Sequence, residues 1–159
     1  MPFKSDPLYR SGVGMMIVNA DNKIFMGQRA DHEEAAWQMP QGGILPREDP
    51  DQAILRELCE EIGTQDIDII VKSERWYQYD LPSHLATRSW GGQYKGQQQL
   101  WYALRFRGAD TDINIHTPQP EFQKWRWVEP EEMLTLVAPF KKDVYTQVLG
   151  ELWPYVIKS

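Results

Sequence analysis

The sequence predicts a mixed domain of helices and strands, either α+β or an α/β/α sandwich. Three observations carry that prediction. Apolar runs of strand length recur, mostly in pairs; one segment carries helix signals at both ends; and the 159 residues hold no repeat, low-complexity tract or linker that would divide them. A single domain over 1–159 is therefore expected. The hydrophobic share of 42% and charged share of 25% suit a globular chain with a proper core.

The elements follow in order. Residues 1–10 read as a short lead-in. Residues 13–18 are a continuous apolar run, the mark of a buried strand; Asp21 and Asn22 turn the chain, and residues 23–29 return. Residues 37–43 carry too much Pro and Gly for a regular element. Residues 50–62 form the clearest helix. Asp49 caps it, Pro50 takes the first helical position, Gln52 closes a capping box and Gly63 stops it. Strands are expected at 67–79, 93–106 and 125–128, with a loop at 82–92. Helices are expected at 130–137 and 140–153; in the second, Phe140, Val144, Val148 and Leu152 share a face.

Composition excludes several classes. No apolar run approaches the ~20 residues of a membrane span, and residues 1–6 lack the apolar stretch of a signal peptide. The lone cysteine, Cys59, rules out an internal disulfide. These features point to the cytoplasm, with no membrane partner. A net charge of −6 argues against a protein that coats nucleic acid, so DNA is not an expected partner, but it permits an enzyme that grips one phosphorylated end. His32, His84 and His116 stand in unrelated polar contexts, so neither a zinc site nor a nucleophile–histidine pair is indicated.

The chemistry concentrates between Gly42 and Thr64. On a helical wheel, Glu57, Glu60 and Glu61 fall within an arc of roughly 100°. Ile54, Leu55, Leu58 and Ile62 fill the neighbouring arc. The helix thus buries one face and lines its carboxylates along the edge. Glu57 and Glu61 form an i, i+4 like-charge pair whose repulsion grows as the dielectric falls beside a core. A hard divalent cation resolves that repulsion, because magnesium and manganese favour carboxylate oxygen. The helix alone also reads as a solvated acidic face; the fixed spacing of Gly42, Glu48, Arg56, Glu57, Leu58, Glu60, Glu61 and Gly63 separates the two readings.

That spacing resembles the Nudix box, with only Thr64 replacing the commoner aliphatic residue. The resemblance implies a Nudix fold, an α/β/α sandwich around a mixed sheet. It implies hydrolysis of a pyrophosphate bond in a nucleotide-type substrate with magnesium, for which manganese or another divalent cation substitutes. It implies that Glu57, Glu60 and Glu61 hold metal or help deprotonate water, that Arg56 orients a glutamate, and that Glu48 braces the loop. Gly42 joins the metal set by the close approach of its backbone.

The likeness extends along most of the chain. Residues 37–43 (Trp-Gln-Met-Pro-Gln-Gly-Gly), Trp76 with Tyr79, residues 96–101 and Pro120-Glu121-Phe122 are similar to the subfamily of RNA pyrophosphohydrolases and dinucleoside polyphosphate hydrolases. By this likeness Glu121 is an extra metal carboxylate from outside the box. Arg29, Phe140 and Lys141 lie around base and phosphates, Tyr79, Gln97 and Gln99 line a phosphate channel, and Gln41 is a further substrate-binding residue. From the residues alone, Arg29 also reads as an exposed strand residue, Gln97 and Gln99 as a solvent face, and Phe140 as core. Trp37 and Trp76 read as anchors rather than base-stacking platforms.

Two substrates are implied: a 5′-triphosphorylated RNA end, losing pyrophosphate, or diadenosine tetraphosphate, giving ATP and AMP. Trp90-Gly91-Gly92 resembles the loop of plant-type dinucleotide enzymes and leans to the second; the whole set leans to RNA. A catalytically dead binding module is disfavoured because every box carboxylate is present. Glu61→Gln is expected to abolish turnover with magnesium while circular dichroism shows an intact fold; normal activity in that variant overturns the assignment.

Overall fold

Two strands buried on both faces organise the molecule, which a computed structural model describes at residues 6–31, 36–83, 85 and 92–159. These are β1 (Tyr9–Val18) and β6 (Gly96–Phe106), and they run parallel with Val13 opposite Leu100 and Ile17 opposite Leu104. Their continuous apolar runs are what a strand covered on both sides requires. The other strands are β2 (Ile24–Arg29), β3 (Trp37–Gln38), β4 (Gln41–Gly43), β5 (Ile67–Asp80) and β7 (Phe122–Val128). The sheet is mixed, in the order β3-β2-β1-β6-β5, with β4 paired to β1 and β7 to β2. Every pairing but β1 with β6 is antiparallel.

Alternation along the central strands sends side chains to two cores. Val13, Met15, Ile17, Leu100, Tyr102 and Leu104 pack with Ile54, Leu58 and Ile62 of α1 (Pro50–Ile62). Met16, Val18, Trp101 and Ala103 pack on the opposite side. There they meet Met133 of α2 (Pro130–Leu136) and Val144, Tyr145, Val148, Leu152 and Val156 of α3 (Lys142–Lys158). Helix, sheet and helix make the expected sandwich.

The expected helix at 50–62 forms with its capping box: Asp49 accepts from the amide of Gln52, and the Gln52 side chain accepts from the amide of Asp49. Gly63 ends it at φ 74°, a left-handed conformation that glycine adopts without strain. Leu55 differs from expectation. It is 42% exposed, and the buried face of α1 holds Glu57 and Glu61 instead. The helix turns Glu57 and Glu61 toward the sheet beside Ile54, Leu58 and Ile62, which leaves Leu55 at the outer end of the apolar arc.

Other boundaries differ for identifiable reasons. Residues 37–43 are not irregular throughout: β3 and β4 take up the free edges of β2 and β1, and pairing outweighs poor strand propensity. β1 begins at Tyr9, inside the expected lead-in, because it pairs with β6 from Gly96 onward. A 3-10 turn at Pro139–Lys141 precedes α3, so Phe140 and Lys141 lie outside the regular helix. In β5 the register shifts between Lys72 and Trp76; there the Ser73 hydroxyl accepts from the amide of Trp101 (3.0 Å) and donates to the carbonyl of Arg75 (2.8 Å). The bulge sets Tyr77 opposite Gln99 and Tyr79 opposite Gln97. Among the described residues no helix is long and apolar enough to cross a membrane.

Helix α3 also holds the turn between β3 and β4, since the buried Tyr145 hydroxyl accepts from the amide of Met39 (3.0 Å). Tyr145→Phe strands that amide and is expected to lower the unfolding free energy by about 1–3 kcal/mol in urea titration.

Candidate active site

Helix α1 brings its acidic edge against β4. A Cβ on Gly42 would stand 1.9 Å from Cδ of Glu57, so a side chain at Gly42 would push the Glu57 carboxylate out of its place. Arg56 then ties helix to loop. Its Nε and Nη2 donate to the two oxygens of Glu48 (2.8 and 2.9 Å), and Nη2 also donates to the carbonyl of Gly43 (2.6 Å). Nη1 donates to Glu57 (2.8 Å) and Glu60 (3.2 Å). Glu48 in turn accepts from the amide of Leu45 (3.0 Å). The Arg56 guanidinium holds the Glu48 carboxyl below its usual range.

Glu57 and Glu61 meet a different environment. Burial raises the Glu57 carboxyl, and the Arg56 contact opposes that shift. Glu61 is only 4% exposed, and its Oε2 has no hydrogen-bond partner. Burial first, then the charges of Glu57, Glu121 and Glu60, push its carboxyl well above the ordinary value. Among the described residues no three His, Cys, Asp or Glu side chains are already drawn into one ligand set. Arg56 instead holds oxygens of Glu57 and Glu60. The donors still suit a hard divalent cation: an orphaned buried carboxylate oxygen, neighbouring carboxylates that raise one another's energy, and a backbone without a Cβ at Gly42.

These groups line a cavity of about 770 Å³, where Gly42, Glu57, Glu60 and Glu61 are joined by Glu121. The same cavity is lined by Arg10, Arg29, Gln38, Gln41, Tyr79, Gln97, Phe140 and Lys141. Lys141 is 5% exposed, donates from Nζ to Oε1 of Gln38 (3.0 Å), and lies 5.6 Å from the Tyr79 ring centre. Burial, then the nearby Arg29 charge, lowers its ammonium from 10.5 to about 7. Arg29 pairs with Asp31 at the rim. The Phe140 ring lies 6.0 Å from that of Tyr79.

Eleven of the residues expected at the site therefore share the cavity wall: Gly42, Glu57, Glu60, Glu61, Glu121, Arg29, Gln41, Tyr79, Gln97, Phe140 and Lys141. Arg56 and Glu48 stand behind it as a brace. Gln99 is not on the wall; it is wholly buried, donating to Gln41 (3.2 Å) and Gln97 (3.5 Å). Trp37 and Trp76 pack against the two cores. Several pocket residues escaped the sequence reading, Arg10 and Gln38 among them. Arg10 precedes the apolar run of β1, where a single cation carries no signal; in the fold it packs on Gly43. Gln38 lies in the segment 37–43, whose family likeness was carried over to Gln41 and Gly42 but not to Gln38. Trp90 and Gly91, on which the dinucleotide leaning rested, lie outside the described residues.

One cavity that gathers carboxylates with basic, amide and aromatic groups has the make-up of an enzyme pocket for an anionic substrate. The chain belongs to the NUDIX domain family, whose model matches residues 8–148. A curated relative from Rickettsia typhi, named RNA pyrophosphohydrolase, is 52% identical over 143 residues, covering 90% of this chain and 89% of the relative. The Rickettsia prowazekii protein of the same name matches equally, at 52% over 143 residues with 90% and 89% covered. Among solved structures, the E. coli dihydroneopterin triphosphate pyrophosphohydrolase superposes with TM-score 0.67 at 20% identity, covering 88% of this chain and 96% of that one. A C. elegans Ap4A hydrolase gives 0.66 at 19%, covering 91% and 98%. At these identities the structural likeness concerns the fold, and it bears out the Nudix sandwich expected from the sequence.

The depressed Lys141 value sets a pH dependence. Between pH 7 and 10.5 the unfolded chain keeps a proton that the folded chain releases, so raising pH across that window favours the fold. Lys141→Met removes the buried charge. Its stability advantage over wild type is expected to be full below pH 7. It then shrinks by on the order of 4 kcal/mol toward pH 10.5, followed by denaturant titration across pH.

Proposed function

We propose that this chain is an RNA pyrophosphohydrolase, a single Nudix domain spanning 1–159 that removes pyrophosphate from the 5′ end of triphosphorylated RNA and leaves a monophosphate end. The observation that carries the reading is the shared cavity, lined by Glu57, Glu60, Glu61 and Glu121 together with Arg10, Arg29 and Lys141. The relatives named RNA pyrophosphohydrolase, 52% identical over 90% of the chain, supply the substrate. The reading places the enzyme in the cytoplasm.

Glu57, Glu60, Glu61, Glu121 and Gly42 would hold a divalent cation, magnesium first and manganese as substitute. When bound, that cation neutralises phosphate oxygens and acidifies a ligated water. Among this chain's own groups, one of Glu57, Glu60 and Glu61 takes the proton of the attacking water. Arg56, braced by Glu48, keeps Glu57 and Glu60 turned to the cavity. Arg10, Arg29 and Lys141 attract the phosphate chain, whose negative charge favours the protonated form of Lys141. Tyr79, Gln97 and Gln41 offer neutral hydrogen-bonding groups along the same wall, and Phe140 gives a flat apolar surface for a base. Catalysis is then mostly positioning and charge stabilisation.

The purified chain with magnesium is expected to release pyrophosphate from 5′-triphosphorylated RNA with a higher kcat/KM than for diadenosine tetraphosphate, and to lose activity with a chelator. A preference for the dinucleotide, with ATP and AMP formed, overturns the RNA reading; chelator-resistant turnover overturns the cation's role.

A further inference from the structure

The Tyr79 hydroxyl accepts hydrogen bonds from the side-chain amides of both Gln97 (3.0 Å) and Gln41 (3.4 Å). Behind them Gln99 donates from its Nε2 to Oε1 of Gln41 (3.2 Å) and to Oε1 of Gln97 (3.5 Å). A primary amide has one acceptor oxygen and one two-proton donor, while a phenol has a single proton. These counts fix the direction of the whole chain of bonds. With all three amides turned over, Tyr79 would face two carbonyl oxygens with one proton to share, and one contact would be oxygen against oxygen. As drawn by the structure, all four contacts have a donor and an acceptor.

Gln99 selects this direction, because its two amide protons go to both neighbours and so require each of them to present its own NH2 to Tyr79. With two donors engaging the phenolic oxygen, the Tyr79 proton must point elsewhere. Among the described residues it has no acceptor of its own, and Tyr79 lines the cavity. Burial pushes the phenol up to about 12, so it keeps that proton at neutral pH. Packing alone does not account for Gln99: it is wholly buried and its Oε1 has no partner. A buried amide oxygen left unsatisfied weakens a fold, and an apolar side chain of similar shape would avoid the penalty.

We infer that Gln99 is a positioning residue, which fixes the amides of Gln41 and Gln97 so that the Tyr79 hydroxyl is presented as a hydrogen-bond donor to a phosphate oxygen in the cavity. The inference rests on the reading of the cavity as a polyphosphate site. It concerns how a neutral donor is aimed there, beside the cations.

The test is a double-mutant cycle on the full chain with magnesium, pairing Gln99→Met with Tyr79→Phe, and Gln99→Leu as a second variant should methionine pack poorly. Each single change is expected to lower kcat/KM on triphosphorylated RNA about tenfold, chiefly through KM. The double variant is expected to be no worse than Tyr79→Phe, because Gln99 acts through that hydroxyl. Multiplicative losses, near a hundredfold together, overturn the inference, as does wild-type kcat/KM in either single variant. A merely structural role for Gln99 would give such independent losses. Binding of inorganic tripolyphosphate, measured by calorimetry on the same four proteins, reads the cycle independently of turnover. A wild type that leaves RNA uncut overturns the RNA reading, and the tripolyphosphate cycle still decides the role of Gln99.

Discussion

The side chain of Arg56 is the joint on which the rest depends. A helix that buries Glu57 and Glu61 beside Ile54 and Leu58 would be costly with nothing opposing the charge. Arg56 supplies a planar fork of donors, and the structure distributes them over Glu48, Glu57, Glu60 and the carbonyl of Gly43. One guanidinium thereby fixes the loop after β4, the start of the acidic edge and the distance between them. Glu61 lies outside its hydrogen bonds, and this carboxylate carries the orphaned oxygen. The tension at the site is thus placed where a cation would relieve it.

Strand β4, only three residues long, brings Gln41, Gly42 and Gly43 to the cavity wall. Gln41 reaches the amide and tyrosine groups, Gly42 meets Glu57, and Gly43 packs on Arg10. Alternation along a strand explains how consecutive residues serve different partners. The amide wall follows from the same rule on β6, where Gln97 and Gln99 share the face that continues into Trp101 and Ala103 and the core beneath α3.

Much of this was legible in the chain, for physical reasons that vary by element. Helix α1 announced itself because Asp49, Pro50, Gln52 and Gly63 act locally, and local signals survive folding. The carboxylates were legible because helical spacing fixes which residues share an edge. Glu121, Tyr79 and Lys141 were placed only through the family likeness, since nothing within their own segments says what lies across the cavity. Arg10 and Gln38 gave no signal, because a lone polar residue beside an apolar run acquires its role only through long-range pairing. The depth of Gln99 was hidden similarly: alternation told that it shares a face with Gln97 but not that a helix covers that face. Leu55 shows the opposite limit, an apolar residue on the right arc that the packed helix leaves outside.

The turn and helix that follow α2 contribute more than a cover for the sheet. Tyr145 holds the amide of Met39, and Lys141 holds Gln38, so the segment just before the acidic helix is anchored by residues more than a hundred positions later. A chain emerging from the ribosome presents α1 and its glutamates early, with neither the parallel β1–β6 pair nor this anchor yet made. The groups around the cavity therefore come together only once the chain as far as Tyr145 is in place.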